Sequence, residues 1–234
     1  MSTRPERSRS SATTSFTYSG VYLLDEDWIT IAGKRWYRVT VFDALMKAPF
    51  LEGLTDTSTN VAIKNVIEPV LRDKALLTMK TDGRAGSATL VEDEFGALHY
   101  RCGFHKASNL REALWESLDD DDLTAVEQIA ARRICSEVCA LLTDHTRSAG
   151  LGHYTRMRDR FEAVHDEIEE VPEPLQQQIR SIEAPYDKFT AYHREPWLPG
   201  TINELENYFR TPSPLGSSTV SRCRNACLRF WPSR

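Results

Sequence analysis

Between residues 21 and 81 the chain changes pattern in an order that few folds accommodate: strand, turn, strand, short strand, amphipathic helix, strand. The run Val21-Tyr-Leu-Leu-Asp25-Glu-Asp-Trp-Ile-Thr-Ile31 is apolar and β-branched, as strands are. The turn Ala32-Gly33-Lys34 then leads into a second strand, Arg35–Phe42. Phe50-Leu-Glu-Gly-Leu54 supplies a third, short strand. Val61, Ile63, Val66, Ile67, Val70 and Leu71 recur at helical spacing, which predicts a helix over Asn60–Arg72 capped at Thr57 or Ser58. Leu76–Thr81 returns as a buried strand, and a short helix, Ser87–Glu94, and a strand, Leu98–Cys102, extend the pattern. The class this order implies is α/β, a mixed sheet flanked by helices.

From Ala107 to about Ala191 the strand signal disappears. Leu123, Val126, Ala130, Ile134, Val138 and Leu141 step by three or four, and Tyr154–Glu170 and Leu175–Ile182 carry the same helical signature. A large all-helical insertion, about residues 107–200, is the expectation. The acidic run Asp119-Asp-Asp-Asp122 lies just before Leu123, where acids suit a solvated turn and helix start better than a metal site. Residues 1–20 are rich in Ser, Thr and Arg and read as a flexible leader, leaving 21–210 as one domain and 211–234 as an irregular tail.

With 234 residues the chain can bury a core without disulfides or structural metals. Its five cysteines, an odd number, fit a reducing compartment. Cys135/Cys139 and Cys223/Cys227 are two Cys-x3-Cys pairs that together could be read as a zinc site. Cys135 and Cys139, however, share a helix face with Val138 and Leu142, which favours buried thiols. No apolar run approaches the roughly 18 residues of a membrane span, and the start lacks a hydrophobic signal core, so a cytoplasmic protein away from membranes is expected. A net charge of −5 means that nucleic-acid binding would need local basic patches. Arg4, Arg7 and Arg9 offer one, and Arg210, Arg222, Arg224, Arg229 and Arg234, in an acid-free stretch after Glu206, offer another.

Three acids stand in settings suited to metal chemistry. Asp25 lies mid-strand, Asp82 closes the Leu76–Thr81 strand ahead of Gly83, and Glu206 follows Pro199-Gly200 in a segment that Thr201 can cap as a helix. Phosphodiester cleavage needs an activated hydroxyl nucleophile and a stabilised leaving oxygen, which two Mg²⁺ (or Mn²⁺) ions about 3.5–4 Å apart can supply. Few carboxylates suffice, because Mg²⁺ keeps several waters and also binds the substrate phosphate. Asp25 would bridge the ions. Asp27, Asp43 and Glu204 are the competing acids in a chain with 34 of them.

Asp25-Glu-Asp-Trp-Ile-Thr-Ile-Ala-Gly-Lys-Arg-Trp-Tyr-Arg38, then Thr81-Asp-Gly83, then Thr201-Ile-Asn-Glu-Leu-Glu-Asn-Tyr-Phe209 resemble, in order, the three catalytic blocks of DDE-type insertion-sequence transposases. The resemblance covers about residues 21–210 and implies an RNase H-like catalytic core with Asp25, Asp82 and Glu206 as catalytic metal ligands. In the family's third block the Glu follows an Asn by three residues, which selects Glu206 over Glu204 and puts Asn203 beside the site. The gap from Asp82 to Glu206 is more than twice that from Asp25 to Asp82, as in the bacterial and Mutator-like members that carry a helical insertion. Those members have a Cys-x2-His after the second Asp, and Tyr100-Arg-Cys102-Gly-Phe-His105 reproduces it. Two such residues cannot close a zinc site, so Cys102 and His105 are expected next to the active site.

The resemblance further implies Mg²⁺-dependent cleavage of transposon ends, strand transfer to target DNA and a homo-oligomeric protein. Trp115, Tyr154 and Trp197 in the insertion are either core residues or platforms for an unpaired base. The family normally carries a helical DNA-binding region ahead of the first Asp and a basic helical tail after the last Glu. Here 24 residues precede Asp25, and Pro212 and Pro214 stop a helix soon after Glu206, as a frameshifted terminus would. The expectation is a chain truncated at both ends. Two other functions fit the same residues: a non-catalytic remnant that binds DNA or a partner transposase, and a general RNase H-like nuclease.

Overall fold

A long antiparallel hairpin forms the centre of the sheet. In the computed structural model, which describes residues 18–119, 123–144 and 151–210, β1 (Val21–Ile31) and β2 (Lys34–Asp43) pair from Tyr22↔Asp43 to Ile31↔Lys34. Ala32 (φ 50°) and Gly33 (φ 78°) make the turn alone, so Lys34 already belongs to β2. Positive φ at both central residues matches the twist of the flanking strands. The N-terminal segment to residue 17, residues 120–122 of the acidic run, and the tail from residue 211 with Pro212, Pro214, Cys223 and Cys227 lie outside the described residues, as do the arginines expected there apart from Arg210.

β3 (Ala48–Thr55) pairs antiparallel with β2, with an irregularity between Val41 and Phe42. Helix α1 (Asn60–Leu71) then crosses over, and β4 (Thr78–Thr81) enters parallel to β1, followed by β5 (Leu98–Arg101) parallel to β4. The strand order is β3-β2-β1-β4-β5. This is the expected RNase H-like architecture, a mixed sheet with flanking helices and a large helical insertion.

α1 covers one face of the sheet because Ile63, Ile67 and Leu71 fall on one side of it, against Tyr22, Leu24, Val39, Val41 and Met79. Burying each of the three contributes about 1.5–3 kcal/mol. The helix lies close on β3, since a Cβ at Gly53 would sit 2.3 Å from Val66 Cγ1. Its cap is Thr59, one residue beyond the expected pair: Thr59 has extended backbone, and its hydroxyl accepts the Ala62 N–H at 3.3 Å. The expected helix 87–94 is helical throughout, and its last six residues, Thr89–Glu94, form a π-helical turn that buries Leu90 and Val91.

The insertion begins as soon as β5 ends. α2 (Gly103–Leu118), α3 (Ala125–Thr143), α4 (Leu151–His165), α5 (Glu173–Glu183) and α6 (Tyr186–Thr190) enclose a core of their own that includes Leu110, Ile134, Val138, Phe161, Leu175 and Phe189. α3 opens on a capping box between Thr124 and Glu127. The single helix expected over Tyr154–Glu170 ends instead at His165 and is followed by a 3-10 turn, Ile168–Glu170. Pro172 ends the 3-10 turn, because it holds Val171 in extended backbone (φ −118°, ψ 159°).

Cys135 and Cys139 are buried thiols with their sulfurs 3.9 Å apart, each against a carbonyl of α2. Tyr154 belongs to the insertion core, whereas Trp115 and Trp197 are exposed. The other face of the sheet, at Leu23 and Phe42, is closed by Cys102 and by Ile202, Leu205 and Phe209 of α7 (Asn203–Arg210) and its entrance. Among the described residues no helix is long and apolar enough to cross a membrane.

Candidate metal centre

The parallel pairing of β1 and β4 brings the first two acids together. The ladder runs Val21↔Thr78, Tyr22↔Met79, Leu23↔Lys80. Carried two residues further, that offset sets Asp25 level with Asp82, and both point to the face that holds Leu23 because strand side chains alternate. Asp25 is therefore the first acid on β1 beyond the pairing, and Asp82 directly follows β4. Each carboxylate is steadied locally: Asp25 Oδ1 accepts the Glu26 N–H and Asp82 Oδ1 the Arg84 N–H, both at 2.9 Å.

Gly83 makes the turn after Asp82 possible. Its φ is +90°, a Cβ there would lie 2.7 Å from Arg101 Nε, and its carbonyl accepts a 3.0 Å bond from Arg101 Nη2. Below it, Thr81 Oγ contacts His99 Nε2 at 2.9 Å and accepts the Gly83 N–H at 3.1 Å.

Glu26 completes an acidic group. One carboxylate oxygen from each of Asp25, Glu26 and Asp82 lies within 4.8 Å of the others; the Asp25 carboxyl is buried and the other two residues are half-buried. Glu26 was not among the expected ligands, because alternation points it to the α1 side of the sheet. Arg84 ties it to the segment after Asp82: Arg84 Nε lies 3.3 Å from Glu26 Oε1 while its Nη2 donates to Asn60 Oδ1 of α1 at 2.9 Å. The acid beside Asp25 was visible in the sequence; the arginine two residues past Asp82 was the signal that connected it to the group.

The electrostatics are those of an under-compensated negative site. Burial and the neighbouring Asp82 push the Asp25 carboxyl well above the usual range, against the pull of His105 and the Glu26 N–H. Burial likewise lifts Glu26 to about 7, with Arg84 opposing and Asp82 adding to the rise.

Cys102 and His105 stand on the opposite flank. The Cys102 N–H bonds to the Thr81 carbonyl at 2.9 Å, which continues the β4–β5 ladder to the residue before Asp82. Cys102 then caps α2, so His105 falls in the helix's first turn. Burial pulls the His105 imidazole down, but Cys102, Asp25 and Glu206 outweigh it and carry it up to about 9. Burial pushes the Cys102 thiol up, and His105 and Lys80 more than reverse that.

Glu206 approaches from α7. Leu205 and Phe209 anchor that helix on the sheet, and the buried Arg38 guanidinium holds it from β2, 4.5 Å from the Phe209 ring and paired with Asp27 and Glu52. Glu206 Oε1 lies 3.6 Å from His105 Nε2 and is a buried oxygen without a hydrogen-bond partner. Glu206 thus borders the site through His105 and is not part of the tight acidic group. Asn203 is exposed at the start of α7, its N–H bonded to Thr201 Oγ at 3.2 Å.

The competing acids are engaged elsewhere or open to solvent. Asp27 pairs with Arg38, Asp43 accepts bonds from Ser19, Leu45 and Met46, and Glu204 is exposed. The donors that remain are carboxylate oxygens, with raised proton affinity at Asp25 and a partnerless oxygen on Glu206. That set fits a hard divalent cation rather than a thiophilic one.

The class defined here is an RNase H-like fold with an acidic cluster, able to coordinate a metal ion, where β1 passes the end of β4. No protein-family model matches the chain. It is similar to the insertion element ISM1 uncharacterized 48.3 kDa protein of Methanobrevibacter smithii, 23% identical over 216 residues. That alignment takes in 92% of this chain and 52% of the relative, so the chain spans about half the length of the protein it matches. The chain is a distant homologue of an insertion-element protein.

Proposed function

We propose that the chain is the catalytic domain of a DDE-type transposase, over about residues 21–210, cutting DNA and joining strands with Mg²⁺ or Mn²⁺. The observation that carries this reading is the convergence of Asp25 and Asp82, far apart in sequence, within one group of carboxylate oxygens no more than 4.8 Å apart. The distant insertion-element relative supports it. In this reading Asp25, Asp82 and Glu206 would hold the divalent ions, with Glu206 approaching from the His105 side of the acidic group.

Two divalent ions bound there would activate the attacking water or 3′-hydroxyl and stabilise the leaving oxygen. The protein's own part is alignment and charge. The Glu26 and Arg84 amides fix the two aspartates, and Arg84 keeps Glu26 to one side as an ion pair. His105, its imidazole carried up to about 9, places a positive charge beside the carboxylates of Asp25 and Glu206. Asn203 lies about one helical turn before Glu206, at the exposed start of α7.

Nicking of supercoiled DNA by the full chain tests the assignment. Mg²⁺- or Mn²⁺-dependent nicking that Asp25→Asn, Asp82→Asn and Glu206→Gln each reduce at least 100-fold, with Glu26→Gln costing less than tenfold, is the expected result. The reverse order for Glu26 and Glu206 would replace the third ligand; no nicking at all would reject the enzyme. The Glu206–His105 contact favours one other reading, a remnant that binds DNA without cutting it. DNA binding with no nicking in either metal would be its signature, and a preference for RNA–DNA hybrids would mark a general nuclease.

A further inference from the structure

The outer end of the β1–β2 hairpin is the part of the sheet that the metal centre does not use. β4 pairs with β1 only as far as Leu23, and β3 pairs with β2 only as far as Tyr37. Residues 28–36 therefore run out as a two-stranded ribbon whose outer edges pair with no other described strand. Such a ribbon is marginal in water unless its faces are packed. Here each face carries an aromatic ring under a cation: Arg35 Cζ is 4.5 Å from the Trp28 ring, and Lys34 Nζ is 4.7 Å from the Trp36 ring. The register puts Trp28 and Arg35 on one face and Trp36 and Lys34 on the other.

The charge of this ribbon runs against that of the chain. Residues 28–37 contain no acid, in a protein of net charge −5. Arg35 makes no ion pair with any described carboxylate. Lys34 reaches only Asp56, at 4.0 Å, with the two side chains 61% and 60% exposed. A pair so open to water is worth about 0–1 kcal/mol and is readily exchanged for another anion.

We propose that this ribbon binds the phosphate backbone of duplex DNA through Lys34 and Arg35, a reading that rests on the DNA-cleaving function proposed above. Each cation already lies over its own ring, so one face of each indole is occupied. The ribbon is built to present held positive charge to phosphates, not to stack on bases. At about 3.3 Å of rise per residue, Ile31 lies roughly 20 Å along β1 from Asp25. That distance is roughly six base pairs of duplex, so the ribbon grips the DNA about half a turn from the bond cut at Asp25 and Asp82.

Fluorescence anisotropy of a labelled 30-base-pair duplex, with the full chain in Ca²⁺ and a KCl series, tests this. Neutralising two phosphate contacts changes the slope of log K against log[KCl] by about 1.8. Lys34→Ala/Arg35→Ala should flatten the slope by that amount, and Lys34→Arg/Arg35→Lys should restore it. An unchanged slope and affinity in the alanine pair, with nicking intact, overturns the ribbon contact and leaves the cleavage reading standing. A parent protein that binds no duplex overturns both. A slope change seen with single strands but not with duplex overturns the duplex assignment. Self-association that weakens in the alanine pair while the salt slope stays fixed makes the ribbon a contact between copies of this chain, and the proposal falls.

Discussion

Asp25 carries an electrostatic cost in the fold, because its carboxyl is buried beside Asp82 and the pull of His105 and the Glu26 N–H offsets this only in part. Without metal, Asp25→Asn should therefore stabilise the protein by about 1–3 kcal/mol, the usual sign at a site strained for function. Urea unfolding in EDTA measures this, and a loss of stability would mean the charge is better compensated than the geometry indicates. His99 gives a separate test by pH. Burial, and then Lys188, depress its imidazole to about 4, so it is neutral in the fold at pH 7. A depressed histidine leaves stability intact above its unfolded value of about 6.5 and removes it as pH falls toward 4, by about 3 kcal/mol in all. His99→Gln should flatten the fall in urea midpoint between pH 6.5 and 4; an equally steep fall would assign that acid sensitivity to other groups. At this scale the sequence exposed Asp25 and Asp82 through their strand contexts. It hid Glu26, whose place depends on a tertiary link through Arg84 and Asn60.

Elements with a continuous apolar run or a helical period were the most legible. β1, β2 and α1 announce themselves by apolar, β-branched runs or by helical spacing, and they stand where the pattern put them, within a residue or two. Boundaries set by backbone geometry were less so. The cap moved to Thr59, the turn shrank to Ala32-Gly33, and the 154–170 helix broke ahead of Pro172. The start of α2 at Gly103 was also missed, because its requirement comes from another helix: a Cβ at Gly103 would lie 2.2 Å from the Leu142 carbonyl oxygen of α3. Backbone cannot swing aside as a side chain can. Gly103→Ala should cost about 1–3 kcal/mol and lower the melting temperature, and should disturb His105 two residues on. A melting temperature equal to the parent's would show that the two helices have slack at their crossing.

At the scale of the molecule, two separate pieces of architecture meet at one spot. The sheet contributes Asp25 and Asp82 by the parallel register of β1 and β4, while the insertion begins with Cys102 and His105 and the chain returns from it with Glu206 on α7. The mixed sheet was legible from the order of strands, since one crossover helix leaves few topologies. The packing of the insertion was not, because its core joins residues from Ala107 to Phe189 that helical spacing alone cannot pair. What the pieces converge on is an acidic cluster able to coordinate a metal ion. A titration of Mn²⁺ followed by electron paramagnetic resonance tests this most directly. Saturable loss of the free Mn²⁺ signal with the parent protein, abolished in both Asp25→Asn and Asp82→Asn, is the predicted result; no binding by the parent, or binding unchanged in those two variants, would contradict the account.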